Sequence, residues 1–357
     1  MFNPEMGRMQ KYVKVNLSIF KRPIVKFLVR RLLFLVATFF SSLVIIFALP
    51  RAIPGNPLAT MLQQIFQTAQ ASPELVTAVQ KRLMEEFGLG KPLHVQFIEF
   101  ISRTLRGDLG TSYSLYPRKV SELVFAYLPW TLGLLIPATI FSWIVGNMLG
   151  AIAGYKRGGK IDNIVLPISI VLSQTPYYWL AMILLYIFGV KLGWFPLSGA
   201  YTPGKTPSLT FDFIVDFLRH YILPFTSIAL SSIGSWAIGM RVLVIYELRS
   251  DYVDYADSLG LSDSKLLRYV FKNSILPQIT GLAINLGTAL GGSLITELVF
   301  NYPGTGFLIF TALTRLDYPL IQGTFTILIS TLIIANFVVD LVYAFIDPRV
   351  RTGYIGE

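Results

Sequence analysis

Six long apolar runs alternate with polar segments along the chain. They lie at about residues 29–50, 127–155, 164–190, 222–246, 274–299 and 321–346. Each run reaches the ~20 helical residues needed to cross ~30 Å of hydrocarbon. Hydrophobic residues make up 54% of the chain, and a soluble fold has no place to bury so much apolar surface. The pattern predicts an all-α membrane protein with six transmembrane helices.

These runs divide the chain into segments. Residues 1–28 are a basic N-terminal extension, 29–50 the first span, 51–125 an intervening segment, 126–346 a core of five further spans with a polar loop at 248–273, and 347–357 a tail. The segment 51–125 is too long for a simple connection. It contains a turn-forming stretch at 52–57 and amphipathic helical patterns at 75–90 and 94–110. We predict that it folds as a small helical domain.

Asp251 to Pro277 is the most informative polar stretch, because it separates two apolar runs and cannot span a membrane itself. Four of its side chains follow the i, i+3, i+4, i+7 spacing of an amphipathic helix, namely Tyr252, Tyr255, Ala256 and Leu259. Three acidic residues lie around the helix from them, Asp251, Asp254 and Asp257. Gly260 is expected to end this helix in a left-handed conformation. The pattern predicts a helix, a tight turn and a second helix.

The second helix of this unit is predicted to start at Ser262 or Asp263, whose side chains suit an N-cap. Asn273 or Ser274 is expected to cap another helix, with Pro277 in its first turn, where the missing N–H has little effect.

The basic residues decide orientation more than the net charge of +10 does. Eight Lys and Arg fall in residues 1–31, three in 156–163, four in 248–273 and two after 346, against three in 191–221 and one in 300–320. The positive-inside rule therefore predicts that both termini and the loop 248–273 are cytoplasmic, in a multi-pass protein of the cell membrane. Crowding of basic residues beside the first run favours an anionic lipid surface over nucleic acid as their partner.

Polar groups inside the spans are candidates for a solute path. They are Gln174, Thr175, Ser232, Asn285 and Thr288. Polar side chains in a membrane usually face a bundle interior or water, although the same residues also serve helix packing, and both interpretations stay open. The acids Glu297 and Asp340 lie near span ends, where hydration at the interface is the expected explanation.

The chain offers no catalytic or metal site that we recognise in its sequence. Gly199 to Thr206 matches the phosphate-loop pattern G-x-x-x-x-G-K-[ST], but that pattern works only between a strand and a helix, and here a membrane span precedes it. His94 and His220 stand without neighbouring ligands, and there is no cysteine. We expect no metal, no cofactor bound by this chain and no enzymatic activity.

The stretch around Gly260 resembles the cytoplasmic EAA loop of ABC importer permeases. Asp254, Tyr255 and Ala256 occupy the first three motif positions, Asp replacing Glu and Tyr the first Ala, and the residues ILP end the motif at Pro277. Further stretches look like signatures of the dipeptide/oligopeptide permease family, the OppB/DppB-like branch. They are RAIPGNP at 51–57, RGDLGTSY at 106–113, LGWFPLSG at 192–199, ELVFNYPGTG at 297–306, DYPLIQG at 317–323 and DPRVR at 347–351.

This resemblance implies a MetI-like permease core that carries a peptide or an oligosaccharide. It implies four kinds of partner: a second homologous permease, two cytoplasmic ATPase subunits that bind ATP and Mg, an extracytoplasmic solute-binding protein and membrane lipid. The residues implied in ATPase coupling are Asp254, Tyr255, Ala256, Asp257, Leu259, Gly260, Leu261 and Pro277. A secondary, ion-coupled transporter and a non-transport membrane scaffold are the alternatives; the first would need ionisable groups at mid-membrane.

Overall fold

The computed structural model describes residues 23–55, 90–289 and 293–346, together with residues 78, 80, 81, 84, 85 and 88. Its helices, in chain order, are α1 (Pro23–Ala52), α2 (Leu93–Leu105), α3 (Val120–Tyr155), α4 (Lys160–Gln174), α5 (Tyr177–Leu184) with a π-helical continuation (Leu185–Lys191), α6 (Phe211–Glu247), α7 (Asp251–Ser258), α8 (Asp263–Ala289), α9 (Leu294–Val299), α10 (Thr305–Thr314) and α11 (Tyr318–Ile346). Between these described residues the β-pairing is a single bridge, Thr111 to Lys119. The all-α prediction is confirmed.

Four of these helices are long and apolar enough to cross a membrane. They are α1 from Val29, α3, α6, and α11 as far as Phe337. Helices α4 and α5 with its π-helical continuation form a fifth candidate, bent by 98°. The predicted run 274–299 falls on α8 and α9, which are separated by residues outside the described part. The count of six spans stays a prediction.

The predicted domain at 51–125 is described from residue 90 onward and at a few earlier positions. Its second amphipathic pattern forms α2, slightly shorter than the predicted 94–110. The pattern at 75–90 lies mostly outside the described residues, as do the N-terminal extension and the tail.

The span predicted at 164–190 is not one straight helix. It breaks at Thr175, whose φ of −83° and ψ of 119° are extended. The following residue is Pro176, and the proline ring disfavours the helical conformation of the residue before it. The prediction of a continuous helix was therefore wrong, although the sequence contained the signal for the break.

Helices α3 and α6 form the centre of the fold and approach closely through three glycines spaced by four residues. A Cβ on Gly146 would lie 2.8 Å from the carbonyl oxygen of Ile233, and a Cβ on Gly154 would lie 2.8 Å from that of Arg241. A Cβ on Gly150 would overlap the carbonyl oxygen of Ala237. Small residues at this spacing let two membrane helices pack backbone to backbone.

Candidate coupling surface

Helix α7 and the first turns of α8 form an elbow, defined here as residues 251–270. Val253 and Asp254 donate their backbone N–H groups to the carbonyl of Ser250, which starts α7. At the start of α8, Lys265 and Leu266 donate to the carbonyl of Ser262. The structure thus confirms the predicted helix, turn and helix.

The turn inside the elbow is a Schellman motif. Gly260 has a φ of +76°, in the left-handed region. Its N–H donates to the carbonyl of Asp257 at 2.8 Å, and the N–H of Leu261 donates to the carbonyl of Ala256 at 3.3 Å. These two bonds satisfy carbonyls that a helix end leaves free. The prediction that Gly260 ends α7 is confirmed.

One face of the elbow is anchored to the membrane helices. Val253, Leu266 and Val270 are buried. They form one apolar cluster with three residues of α3 and α6, namely Ala151, Met240 and Val244. The apolar face predicted for this helix did not include Val253. The spacing of Val253 and Ala256, three residues apart on one helix face, was the sequence signal for the burial of Val253.

The other face of α7 carries large side chains that nothing in the described chain covers. Tyr255 is 68% exposed and Leu259 63% exposed. The carboxylates of Asp254 and Asp257 lie on exposed residues of the same short helix. An exposed aromatic and leucine beside acidic groups is typical of a surface that contacts another protein.

A triangle of hydrogen bonds fixes the elbow's angle. The hydroxyl of Tyr252 donates to Glu247 Oε1 at 2.7 Å, and Asn273 Nδ2 contacts that same oxygen and the Tyr252 hydroxyl, each at 3.0 Å. Partial burial, together with the Glu247 carboxylate, raises the pKa of Tyr252, so its hydroxyl stays a donor. The triangle joins the end of α6 to α7 and α8.

A buried ion pair stabilises the neighbouring connection between α3 and α4. Arg241 donates to both oxygens of Asp162, at 2.6 and 2.8 Å, and the N–H of Gly158 donates to the same carboxylate at 2.9 Å. The bidentate geometry makes this a strong, orienting contact between the start of α4 and α6.

The prediction of a new helix start at Asn273 or Ser274 was wrong. Helix α8 runs without interruption from Asp263 to Ala289, and Pro277 lies inside it. Asn273 instead bonds to Glu247 and Tyr252. Pro277 lacks the N–H that would bond to the carbonyl of Asn273, which permits a kink rather than an end. The second half of the elbow and the apolar residues beyond Pro277 therefore belong to one helix.

Two of the predicted path residues lie at the break between α4 and α5. Gln174 is exposed at the end of α4, and Thr175 follows it in extended backbone. The Thr175 hydroxyl donates to the carbonyl of Val171 at 2.7 Å, and Ser231 of α6 donates to the carbonyl of Thr175 at 3.2 Å. Ser232 is half-buried on α6 beside that contact.

The remaining predicted path residues are on α8. Asn285 is exposed, and its amide donates to the carbonyl of Gly281 at 3.0 Å. Thr288 lies in the same helix, but its side chain is outside the described residues. The structure therefore groups Gln174, Thr175 and Ser232 at the break between α4 and α5, whereas Asn285 and Thr288 belong to α8.

The position of Glu297 near a span end suggested hydration at the interface, and this prediction was wrong. Glu297 lies in α9 and is fully buried. Its carboxylate accepts hydrogen bonds from the Thr131 hydroxyl at 2.9 Å and from the N–H of Phe307 at 3.1 Å. The chain reverses after it at Asn301, which has a φ of +48°. The reversal wraps the following loop around the carboxylate, which no sequence periodicity reveals. The side chain of Asp340 lies outside the described residues.

The phosphate-loop pattern has a different role. Lys205 donates to Asp212 at 2.7 Å, and the N–H and hydroxyl of Thr202 donate to Asp216 at 2.7 and 2.6 Å. These bonds fasten the loop 199–206 to the first turns of α6, which begins at Phe211 rather than at the predicted 222. A π-helical segment and not a strand precedes the loop.

The chain resembles known transport proteins over most of its length. Residues 146–352 match the family described as "Binding-protein-dependent transport system inner membrane component". The di/tripeptide transport system permease protein DppB of Pseudomonas aeruginosa is 32% identical over 339 residues, 91% of this chain and 98% of the relative. The glutathione transport system permease protein GsiC of Escherichia coli is 31% identical over 326 residues, 91% and 98% of the two chains.

The oligopeptide transport system permease protein AppB of Bacillus subtilis is 28% identical over 326 residues, 91% of this chain and 99% of the relative. Among solved structures, an inward-facing MetNI methionine ABC transporter aligns with a TM-score of 0.48 and 16% identity, over 64% of this chain and 97% of the other.

Proposed function

Because the chain belongs to the family of binding-protein-dependent transport system inner membrane components, it is a membrane permease of an ABC transporter, and we propose that it forms half of an import path for peptides. A second, homologous permease supplies the other half. The peptide class is supported by the names of the relatives, which are transport systems for di- and tripeptides, oligopeptides and glutathione. None of these three relatives is named for an oligosaccharide.

We further propose that the elbow is where the ATPase subunits bind. The exposed face of α7 carries this proposal, because Tyr255 and Leu259 are uncovered while Val253 on the opposite side is buried. Tyr255 and Leu259 enter the partner's groove, and Asp254 and Asp257 pair with basic residues around it. Ala256 and Leu261 pack the turn underneath.

The coupling step is a rigid-body movement. ATP and Mg bind to the ATPase subunits, and this chain binds neither and catalyses no reaction. Closure of the ATPases pulls the elbow, which is one packed unit because of the Gly260 turn and the buried Val253, Leu266 and Val270. Since α8 is continuous through Pro277, the pull tilts the membrane part of that helix.

The solute passes along the break at Thr175, beside Gln174 and Ser232, and along the side of α8 on which Asn285 is exposed. Thr288 of the same helix stays in the path as a prediction from the sequence. A broken helix inside a membrane leaves backbone groups free, and such groups are tolerated where they line a polar cavity. Delivery by a solute-binding protein occurs at the end opposite the elbow. In this orientation the elbow and both termini are cytoplasmic, and the segment 51–125 is outside.

Leu259→Arg tests the docking role. We expect binding-protein-stimulated ATPase activity in proteoliposomes to fall roughly 30-fold, since loss of a central apolar anchor costs about 2 kcal/mol or more. Phe211→Arg is the matched control for binding of the ATPase subunits, because Phe211 is 83% exposed at the opposite end of α6. The ATPase subunits are expected to co-purify with Phe211→Arg as with the wild type and to be lost from Leu259→Arg. Unchanged stimulation in Leu259→Arg would refute the docking role.

A further inference from the structure

A cavity of about 270 Å³ lies at the opposite end of the molecule from the elbow. It is enclosed by the last turn of α1, by α2 and by the first turns of α11. Arg51, Arg103, Asp108 and Gln322 are among its polar lining residues, and Phe47 and Tyr318 are among its aromatic ones. Neither the coupling surface nor the proposed solute path includes this cavity.

Gln322 is the first sign that the cavity holds a ligand. The residue is 8% exposed, and its amide nitrogen has no hydrogen-bond partner among the described residues. A buried donor without an acceptor has lost its hydrogen bonds to water without replacement, and folded proteins rarely leave one in that state. The amide of Gln322 therefore calls for an acceptor oxygen that the described part of the chain does not supply.

Arg51 is the second sign. Its guanidinium lies 3.5 Å from the centroid of the Phe47 ring and 5.5 Å from that of Tyr318. It donates to the carbonyl of Phe47 at 2.8 Å and to the side-chain oxygen of Gln96 at 2.7 Å. Both of these acceptors are neutral. The aromatic rings and the two bonds hold the cation in one orientation at the cavity wall.

The acidic residues of the lining are already neutralised by other cations. Asp108 pairs with Arg103 at 2.9 Å, a hydrogen bond that lowers the pKa of Asp108. Glu99 pairs with Lys91 at 2.5 Å. Within the described ranges Arg51 forms no ion pair. The lining thus presents one unbalanced positive charge and one unpartnered donor, which together suit an anionic oxygen group.

We propose that this cavity binds the phosphate group of a membrane phospholipid. Arg51 is in the last turn of a membrane-spanning helix, at the depth of lipid headgroups. The preceding turns of α1 expose Val44, Ile45 and Leu49, by 52, 64 and 41%, as a surface for the acyl chains. Basic pockets between membrane helices bind anionic headgroups in this way. The proposal is independent of the ATPase-coupling role.

Thermal melting of the delipidated transporter complex in detergent tests the site. Dioleoyl-phosphatidylglycerol, inorganic phosphate and dioleoylglycerol are titrated separately. We expect phosphatidylglycerol to raise the melting temperature of the wild type and to require at least roughly tenfold higher concentrations in Arg51→Gln, because hydrogen bonds to charged groups contribute about 1.5–3 kcal/mol. Arg106→Gln is the control, since Arg106 is exposed and does not line the cavity.

Gln322→Glu is a second variant that keeps the side-chain size and replaces the donor with an anion. It is expected to weaken the phosphatidylglycerol effect as Arg51→Gln does, and it keeps the test valid if Arg51→Gln fails to assemble. Equal stabilisation by inorganic phosphate would overturn the lipid assignment. An identical response to phosphatidylglycerol in the wild type and both cavity variants would overturn the site.

Discussion

The two ends of the α3–α6 pair use acidic residues in opposite ways. At the elbow, Asp254 and Asp257 are exposed beside uncovered apolar side chains. At the far end, Glu297 and Asp317 are fully buried and surrounded by donors. Asp317 accepts hydrogen bonds from the hydroxyl of Ser112 and from the N–H and hydroxyl of Ser114, at 2.5 to 2.8 Å.

Exposure, not residue type, therefore separates an acid with a structural role from one that is available to a partner protein. A buried carboxylate whose oxygens all accept hydrogen bonds organises the loops around it. An exposed carboxylate contributes little to stability and is available to a partner. The acids of the elbow thus lie on an open surface, whereas the acids Glu297 and Asp317 of the far end hold neighbouring segments together.

The largest effect is expected for the support shared by both ends. Gly150→Ala places a methyl group against the carbonyl oxygen of Ala237, and overpacking of this kind costs about 3 kcal/mol. We expect loss of the monodisperse, folded protein in fluorescence-detected size exclusion. Gly133→Ala on the same helix meets no atom within 4 Å and is expected to behave as wild type. Equal behaviour of the two variants would contradict the close packing.

Asp317→Asn is expected to have the next largest effect. It replaces one of the two acceptor oxygens with an NH2 donor, which then faces either the N–H of Leu320 or the donors of Ser112 and Ser114, and this costs about 2 kcal/mol. The apparent melting temperature of the purified permease is the measurement. Asp257→Asn, at the elbow, is expected to leave that temperature unchanged and to lower binding-protein-stimulated ATPase activity. A lower melting temperature for Asp257→Asn would show that the exposed acid of the elbow also stabilises the fold, which would contradict the difference between the two ends.

A smaller effect is expected for Tyr221→Phe. Pro137 has no N–H for the carbonyl of Gly133, and the hydroxyl of Tyr221 donates to that carbonyl at 2.9 Å instead. Loss of this bond is expected to cost about 1 kcal/mol in thermal melting. Restoring an N–H with Pro137→Ala in the same chain should recover part of it, as a double-mutant cycle detects. Strictly additive effects would rule out this compensation.

The smallest effect is expected for Tyr252→Phe, which removes hydrogen bonds to Glu247 and Asn273 on an exposed triangle. We expect a change in stability of about 0.5–1 kcal/mol. Binding-protein-stimulated ATPase activity should be affected more strongly than the melting temperature. The reason is that the triangle sets the angle of the elbow, whereas apolar packing holds the elbow together. A larger change in melting than in stimulation would show that the triangle is only structural.

Much of this architecture was accessible from the sequence. Apolar runs located the long helices, and the Tyr252–Leu259 spacing with Gly260 located the elbow, because local rules decide these features. The break at Thr175 was also a local signal, as was the four-residue spacing of Gly146, Gly150 and Gly154.

Other features depend on contacts between distant segments. The burial of Glu297 requires Thr131 from α3 and Phe307 from the first turn of α10. The continuity of α8 depends on packing that holds a helix together across Pro277. Tertiary packing decides such cases over local preference.

The most direct test of the coupling surface uses the absence of cysteine from the chain. Leu259→Cys introduces a single thiol on the exposed face of α7, and labelling with a membrane-impermeant maleimide reports its accessibility. We expect fast labelling of Leu259→Cys in the isolated permease and strong protection in the complete transporter with its ATPase subunits. Equal labelling in both preparations would contradict it.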